Sequence, residues 1–101
     1  MSTHTFTAPL WKWSARTEAS GWWFVSLPFE VSDVVEGHVI PGAGFGSVPV
    51  EVTVGATTWR TSVFPSNEQK TYVLPIKKSV RTAEGIADGD DVTVRLRVVA
   101  G

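Results

Sequence analysis

The chain carries one phrase twice. Residues 23–32 run Trp23-Phe24-Val25-Ser26-Leu27-Pro28-Phe29-Glu30-Val31-Ser32, and 47 positions later residues 70–79 run Lys70-Thr71-Tyr72-Val73-Leu74-Pro75-Ile76-Lys77-Lys78-Ser79. Leu27-Pro28 aligns with Leu74-Pro75, Phe29 with Ile76 and Ser32 with Ser79. Each copy leads, past a glycine, into an alternating strand-like run, residues 48–54 and 92–98. Self-similarity at a fixed offset marks two copies of one supersecondary unit, each needing the other to bury its apolar face. The repeat, about residues 22–54 and 70–99, implies a single domain over 1–101. It says much about architecture and leaves the chemistry open.

Local patterns fill in the elements. Thr3 to Trp13 is β-rich, with Pro9 demoting part of it to an edge or a bend. Ser14 to Gly21 is polar and reads as a hairpin loop. Trp22 to Leu27 is apolar on both faces, which suits the seam of a closed barrel. Val31, Val34 and Val35 then recur at helical spacing over Phe29 to about His38. The glycine-rich stretch Pro41 to Ser47 is a connector. Residues 48–54 and 57–64 form a hairpin about Gly55-Ala56, which faces Val52 with Trp59 and Glu51 with Arg60. Val50, Val52, Val54, Trp59, Thr61 and Val63 then share the core side. Pro75 opens a second helix in which Ile76, Val80 and Ala83 form the buried stripe and Gly85 the C-terminal stop. A Gly89-Asp90 turn leads to the last strand.

A chain of 101 residues has little core to work with, so five Trp, five Phe and one Tyr are expected to supply most of it. Zero Cys removes disulfides, thiolate nucleophiles and cysteine metal sites. Nine Lys plus Arg against ten Asp plus Glu leave a net charge of −1, without the basic excess of a typical nucleic-acid binder. With no long apolar run and no basic leader ahead of an apolar stretch, a soluble, cytoplasmic protein is expected.

The second half carries a recognisable signature: Tyr72-Val73-Leu74-Pro75-Ile76, Val80-Arg81, Gly85-Ile86-Ala87-Asp88-Gly89-Asp90 and Val92-Thr93-Val94. It resembles the AbrB/MazE-like half-barrel, in which two chains usually contribute one half each. Gly46-Ser47-Val48-Pro49-Val50 and Thr61-Ser62-Val63-Phe64-Pro65 extend the likeness from about Phe6 to Val98. Over that span the chain is similar to the bacterial domain-of-unknown-function family nineteen-oh-five, whose members sometimes precede a YdeI/OmpD-associated domain. The resemblance implies a mainly β, pseudo-two-fold double-split β-barrel with two short helices, and no established activity. Where relatives carry basic residues before Gly46, this chain has Pro41 to Phe45, which speaks against an anion site on that loop.

Candidate chemistry is sparse. Gly42 to Gly46 lacks the Lys-Ser/Thr and the following helix of a phosphate-binding loop. Lys70, Lys77, Lys78 and Arg81 form a run without an acid. Lys77, Lys78 and Arg81 would contact nucleic acid in an AbrB-like reading, or form a solvated helix face in a structural one. Arg81, at the family's helix arginine, is either a ligand contact or a strut to Asp90 or to carbonyls of the first helix. Most of the tryptophans read as core, with Trp11 and Trp13 on one strand face as a candidate exposed pair. His4, at a frayed terminus, and His38, near a helix end, make no metal-ligand spacing. Asp88, Asp90 and Asp91 read as turn formers that bond backbone amides. The expectation is therefore no enzyme, no metal and no cofactor. Instead we expect a ligand- or protein-binding module whose pocket or partner surface lies near the helices and the Gly-rich loop, with Trp59, Arg60 and Arg81 its nearest contacts. Its small-molecule or protein partner is unspecified and nucleic acid is the alternative. The chain would be a monomer or, through uncapped β edges, a homodimer.

Overall fold

A computed structural model describes residues 3–13, 22–39 and 46–99. Along the chain lie β1 (Thr3–Trp13), β2 (Trp22–Ser26), α1 (Phe29–Glu36), β3 (Val48–Val54), β4 (Thr57–Ser66), β5 (Thr71–Pro75), α2 (Lys78–Glu84) and β6 (Asp91–Val98). The strands pair antiparallel throughout, and the order β1-β2-β5-β4-β3-β6 closes on itself. The loop expected at Ser14 to Gly21 and most of the glycine-rich connector lie outside the described residues.

Two strands make the closure. β1 pairs Thr3–Pro9 with β6 and then Leu10–Trp13 with β2. β4 likewise pairs Thr57–Val63 with β3 and then Phe64–Ser66 with β5. Pro9 and Pro65 stand beside these hand-overs, where a residue without an N–H is least costly to the ladder. Pro9 lies inside the continuous strand β1, opposite Asp91, at the last position paired with β6. The closed order leaves no edge strand, the feature through which a homodimer was the alternative to a monomer. Along β1 and β4 each paired residue has a neighbouring strand on one side only, which is what opens the two splits.

Exchanging β1 with β4, β2 with β5 and β3 with β6 leaves the strand order unchanged, which is the pseudo-two-fold of the fold. Because β2 and β5 run in opposite directions and each feeds a helix, α1 and α2 lie at opposite ends of the barrel. The equivalence, however, differs from the one that the paired Leu-Pro phrases imply. The Leu27 amide donates to the Tyr72 carbonyl at 2.9 Å, and the Ile76 amide donates to the Trp23 carbonyl at 2.9 Å. The two-fold exchanges these bonds only if Leu27 corresponds to Ile76 and Trp23 to Tyr72. Burial agrees: Leu27 and Ile76 are each 2% exposed, whereas Phe29 is 66% exposed. Pro28 caps α1, while Pro75 is still in β5 opposite Phe24, and Lys77 is the cap of α2. Pro75 therefore does not open the helix. A strand pattern slid by two residues keeps the same faces inward, so side-chain burial rather than the shared dipeptide sets the register.

The core is aliphatic. Val25, Val35, Val50, Val52, Val63, Leu74, Val94 and Leu96 are fully buried, with Phe6 and Tyr72 the aromatic members of the cluster. None of the five tryptophans is buried: Trp11, Trp23 and Trp59 are half-buried, and Trp13 and Trp22 are exposed. The expected aromatic core is thus corrected. An eight-stranded barrel is just wide enough inside for side chains to fill, and a ring of six is narrower, so branched aliphatics fill it and indoles go to the rim and outer wall. On α1 the stripe is Val31 and Val35, with Val34 turned outward; on α2 Val80 is buried and Ala83 exposed.

The β3–β4 hairpin has the expected register, Val54 opposite Thr57, Val52 opposite Trp59 and Glu51 opposite Arg60. Gly55 turns the corner at φ +59°, as the first position of its two-residue turn requires. Glu84 of α2 lies under this corner and accepts the Thr57 hydroxyl at 2.7 Å; a Cβ at residue 55 would run into the Glu84 carboxylate. Gly85 ends α2 at φ +64°, and Ile86 packs back against the core.

Two tests follow from these assignments. Ile76→Ala is expected to cost about 2–5 kcal/mol in urea unfolding, and Phe29→Ala well under 1 kcal/mol; equal costs would restore the Leu-Pro register. Gly55→Ala should lower the unfolding temperature, and Glu84→Ala should recover part of that loss, because it removes the clash but not the strained φ.

Candidate functional site

Past Phe64 and Val73 the strands β4 and β5 part, and the chain leaves β5 through Ile76 and Lys77 for α2. The split holds a cleft of about 480 Å³. Trp59, Arg60 and Thr61 of β4 form one wall, Pro75 to Lys78 with Arg81 the other, and Trp22 and Trp23 of β2 close it. The residues named from the sequence for a ligand, Trp59, Arg60 and Arg81, and those named for nucleic acid, Lys77, Lys78 and Arg81, therefore line one site. Four are cations, and no acid is among the lining residues.

Arg81 is half-buried and held from two sides. Its Nε donates to the Ile76 carbonyl at 3.2 Å, and its guanidinium lies 5.0 Å from the centre of the Trp23 ring. Lys12 approaches the same ring at 5.8 Å. Trp23 thus serves Arg81 as a flat support by cation–π attraction. Neither Asp90 nor α1 carbonyls hold it: Asp90 accepts the Ala87 amide at 2.8 Å instead, the turn role expected of that aspartate. Among the described residues no carboxylate lies within 4.0 Å of Arg81.

A family model described as Domain of unknown function (DUF1905) matches residues 6–96, from β1 through β6, and so spans both helices and the cleft. The chain belongs to the DUF1905 family. No curated protein matches it.

In this DUF1905 barrel, Arg60 lines the cleft while keeping a long ion pair to Glu51. The Glu51 carboxylate accepts Arg97 Nη2 at 2.9 Å, while Arg60 Nε stands 3.6 Å away with its side chain 68% exposed. The expected Glu51–Arg60 pair exists, then, as the looser arm of a three-strand cluster across β4, β3 and β6. The Arg97 hydrogen bond, opposed by partial desolvation and aided by both arginine charges, holds the Glu51 carboxyl below its ordinary 4.5.

The other end of the barrel has a smaller cleft of about 270 Å³ beside α1, lined by Phe29, Ser32, Asp33, Glu36, Lys70 and Tyr72 among others. Under the two-fold, Phe29 and Ser32 stand where Lys78 and Arg81 stand. Buried Ser32 accepts the Tyr72 amide at 3.1 Å, and Thr71 donates to the Leu27 carbonyl at 2.8 Å. Burial, helped by the Glu36 charge, pushes the Tyr72 hydroxyl above its usual 10.0. Trp11, Trp22 and Phe24 stack along the outer wall, with Trp11 Nε1 donating to Ser26 at 2.9 Å and Trp13 beside them.

His4 is not at a frayed end: it pairs in β1 with Leu96, and its Nε2 is buried without a hydrogen-bond partner among the described residues. His38 is exposed after α1. Among the described residues no three His, Cys, Asp or Glu side chains cluster as metal ligands, and no helix is long and apolar enough to cross a membrane. Of Pro41 to Ser47 only Gly46 and Ser47 are described; Gly46 lies near Pro65, and neither is among the cleft's lining residues. Sequence reasoning missed Trp22 and Trp23 as cleft residues. Their strand alternation was legible, but which strand borders the split is a property of the closed ring.

A depressed carboxylate stabilises the fold above its unfolded pKa and loses that contribution as the pH falls through its folded value. Glu51→Gln should therefore lower the unfolding temperature at neutral pH. The difference from the parent should shrink to nothing as the pH drops below 4.5 towards the folded pKa, read by thermal melts across that range.

Proposed function

We propose that this DUF1905 chain is a non-catalytic binding module whose ligand occupies the split between β4 and α2. The observation that carries the reading is the convergence of Trp59, Arg60, Lys77, Lys78 and Arg81 on one cleft of about 480 Å³. That volume falls in the range of small-molecule sites, which combine apolar walls with a few placed polar groups. Its charged lining is arginine and lysine only, which can hold an anion and brings no carboxylate or imidazole to it. The site therefore reads as one for holding rather than transforming.

The same cations support a second reading, a nucleic-acid contact of the AbrB-like type. Against it, Asp33 and Glu36 mark the opposite end of the barrel and the whole chain is close to neutral, so the long-range field that would draw in a polyanion is weak.

The two readings separate in one pair of measurements. Native mass spectrometry of protein purified from its host is expected to show a retained small molecule that is lost in Trp59→Ala, while duplex DNA gives no gel shift at moderate salt. A duplex shift abolished by the Lys77→Glu/Lys78→Glu double change would put the nucleic-acid reading first.

A further inference from the structure

The two halves of the barrel act as a control on each other. In each half a strand ends at a buried apolar residue, Leu27 or Ile76, whose carbonyl must find a donor. At Leu27 the short Thr71 hydroxyl supplies it at 2.8 Å; at Ile76 the Nε of Arg81 supplies it at 3.2 Å. One hydroxyl therefore suffices for the fold. The guanidinium brings two further nitrogens, and among the described residues no carboxylate takes them up. Phe29 and Ser32 at the α1 end likewise show that the architecture closes without cations at the positions of Lys78 and Arg81. The cationic lining of the α2 split is a surplus over what the barrel needs.

Its arrangement has a direction. The Trp23 face is already taken by Arg81 at 5.0 Å and Lys12 at 5.8 Å, so Trp23 positions the guanidinium. Trp59 has no such partner among the described residues and lines the same cleft beside Arg60 and Thr61. An arginine held over a ring with Nε engaged keeps its far edge for bidentate bonding to a carboxylate or a phosphate-type group. An indole wall a short step away offers a platform for a flat ring.

From this geometry we infer the class of ligand: a small organic anion, a flat aromatic or conjugated body with a carboxylate or phosphate at one end. Arg81 binds the acid group, Lys78 adds charge at the rim, and Trp59 carries the body. The inference rests on reading the split as a binding site and adds the chemistry of what fills it.

The test titrates the intact chain with 2-naphthoate, with its neutral isostere 2-naphthamide and with inorganic phosphate, followed by calorimetry. The naphthoate is expected to bind roughly ten-fold or more tightly than the amide, as a charge-assisted pair with a fixed arginine provides. Phosphate alone should bind more weakly than naphthoate, because it leaves Trp59 unused. Arg81→Gln should bring naphthoate down to the amide, and Trp59→Ala should weaken both. Since Arg81→Gln also disturbs the bond to Ile76, the exposed Lys78→Gln is the second variant, expected to weaken naphthoate several-fold and leave the amide unchanged. Equal affinity for naphthoate and naphthamide, both lost in Trp59→Ala, would overturn the anion class while the binding site stands. Absence of saturable binding by the aromatic anion, or naphthoate binding indifferent to both Lys78→Gln and Arg81→Gln, would overturn the inference outright. A host-derived ligand displaced by none of these probes would leave the module reading intact and this one refuted.

Discussion

The hydrogen-bonded ring depends on β1 and β4 each serving two partners in turn. Each strand gives its first half to the β3–β6 side and its second half to the β2–β5 side, and without that division the sheet would have free edges and no enclosed core. The division also leaves gaps where neighbouring strands diverge, and the helices lie beside them. The cleft next to α2 is thus a by-product of the closure: a barrel joined in this way has a split at each end, and the side chains at its rim decide what the split can hold.

The rim side chains differ sharply between the two halves. One end has Lys77, Lys78, Arg60 and Arg81 with tryptophan walls and no acid; the other has Asp33 and Glu36 beside Lys70, and a buried serine. The backbone solution at the two ends is nearly the same, down to reciprocal hydrogen bonds from Leu27 and Ile76 at 2.9 Å. Differences that the fold does not require are the natural place to look for function. The aromatic outer wall is also beyond what the fold requires: Phe24 lies against both Trp11 and Trp22, and Trp22 stays exposed.

The narrowness of a six-stranded ring explains where the aromatic residues went. Valines at alternate positions of β3, with Val63 of β4 and Val92, Val94 and Leu96 of β6, fill the interior, and the large indoles sit where the barrel meets solvent or helix. Aromatic content alone reads as core, because burying a large ring is the usual way to stabilise a small domain. The shape of the cavity overrides that tendency here.

Much of the barrel was legible in the chain. Alternation marked β3 and β6, Gly55 set a hairpin register that placed β4 and holds residue for residue, and Gly85 stopped α2 where expected, because each depends on local backbone geometry. The candidate residues were legible as types, since a run without an acid from Lys70 to Arg81 stands out in any window. The sequence could not say that Trp59 and Arg60 face Arg81 across a split, nor that Leu27 corresponds to Ile76 and not Phe29. Those facts follow from ring closure and burial, which act between residues distant along the chain, and a pattern with a period of two is blind to a shift of two. Local chemistry thus determined the elements, and only the closed tertiary structure decided the register of the two halves and the place where their charges meet.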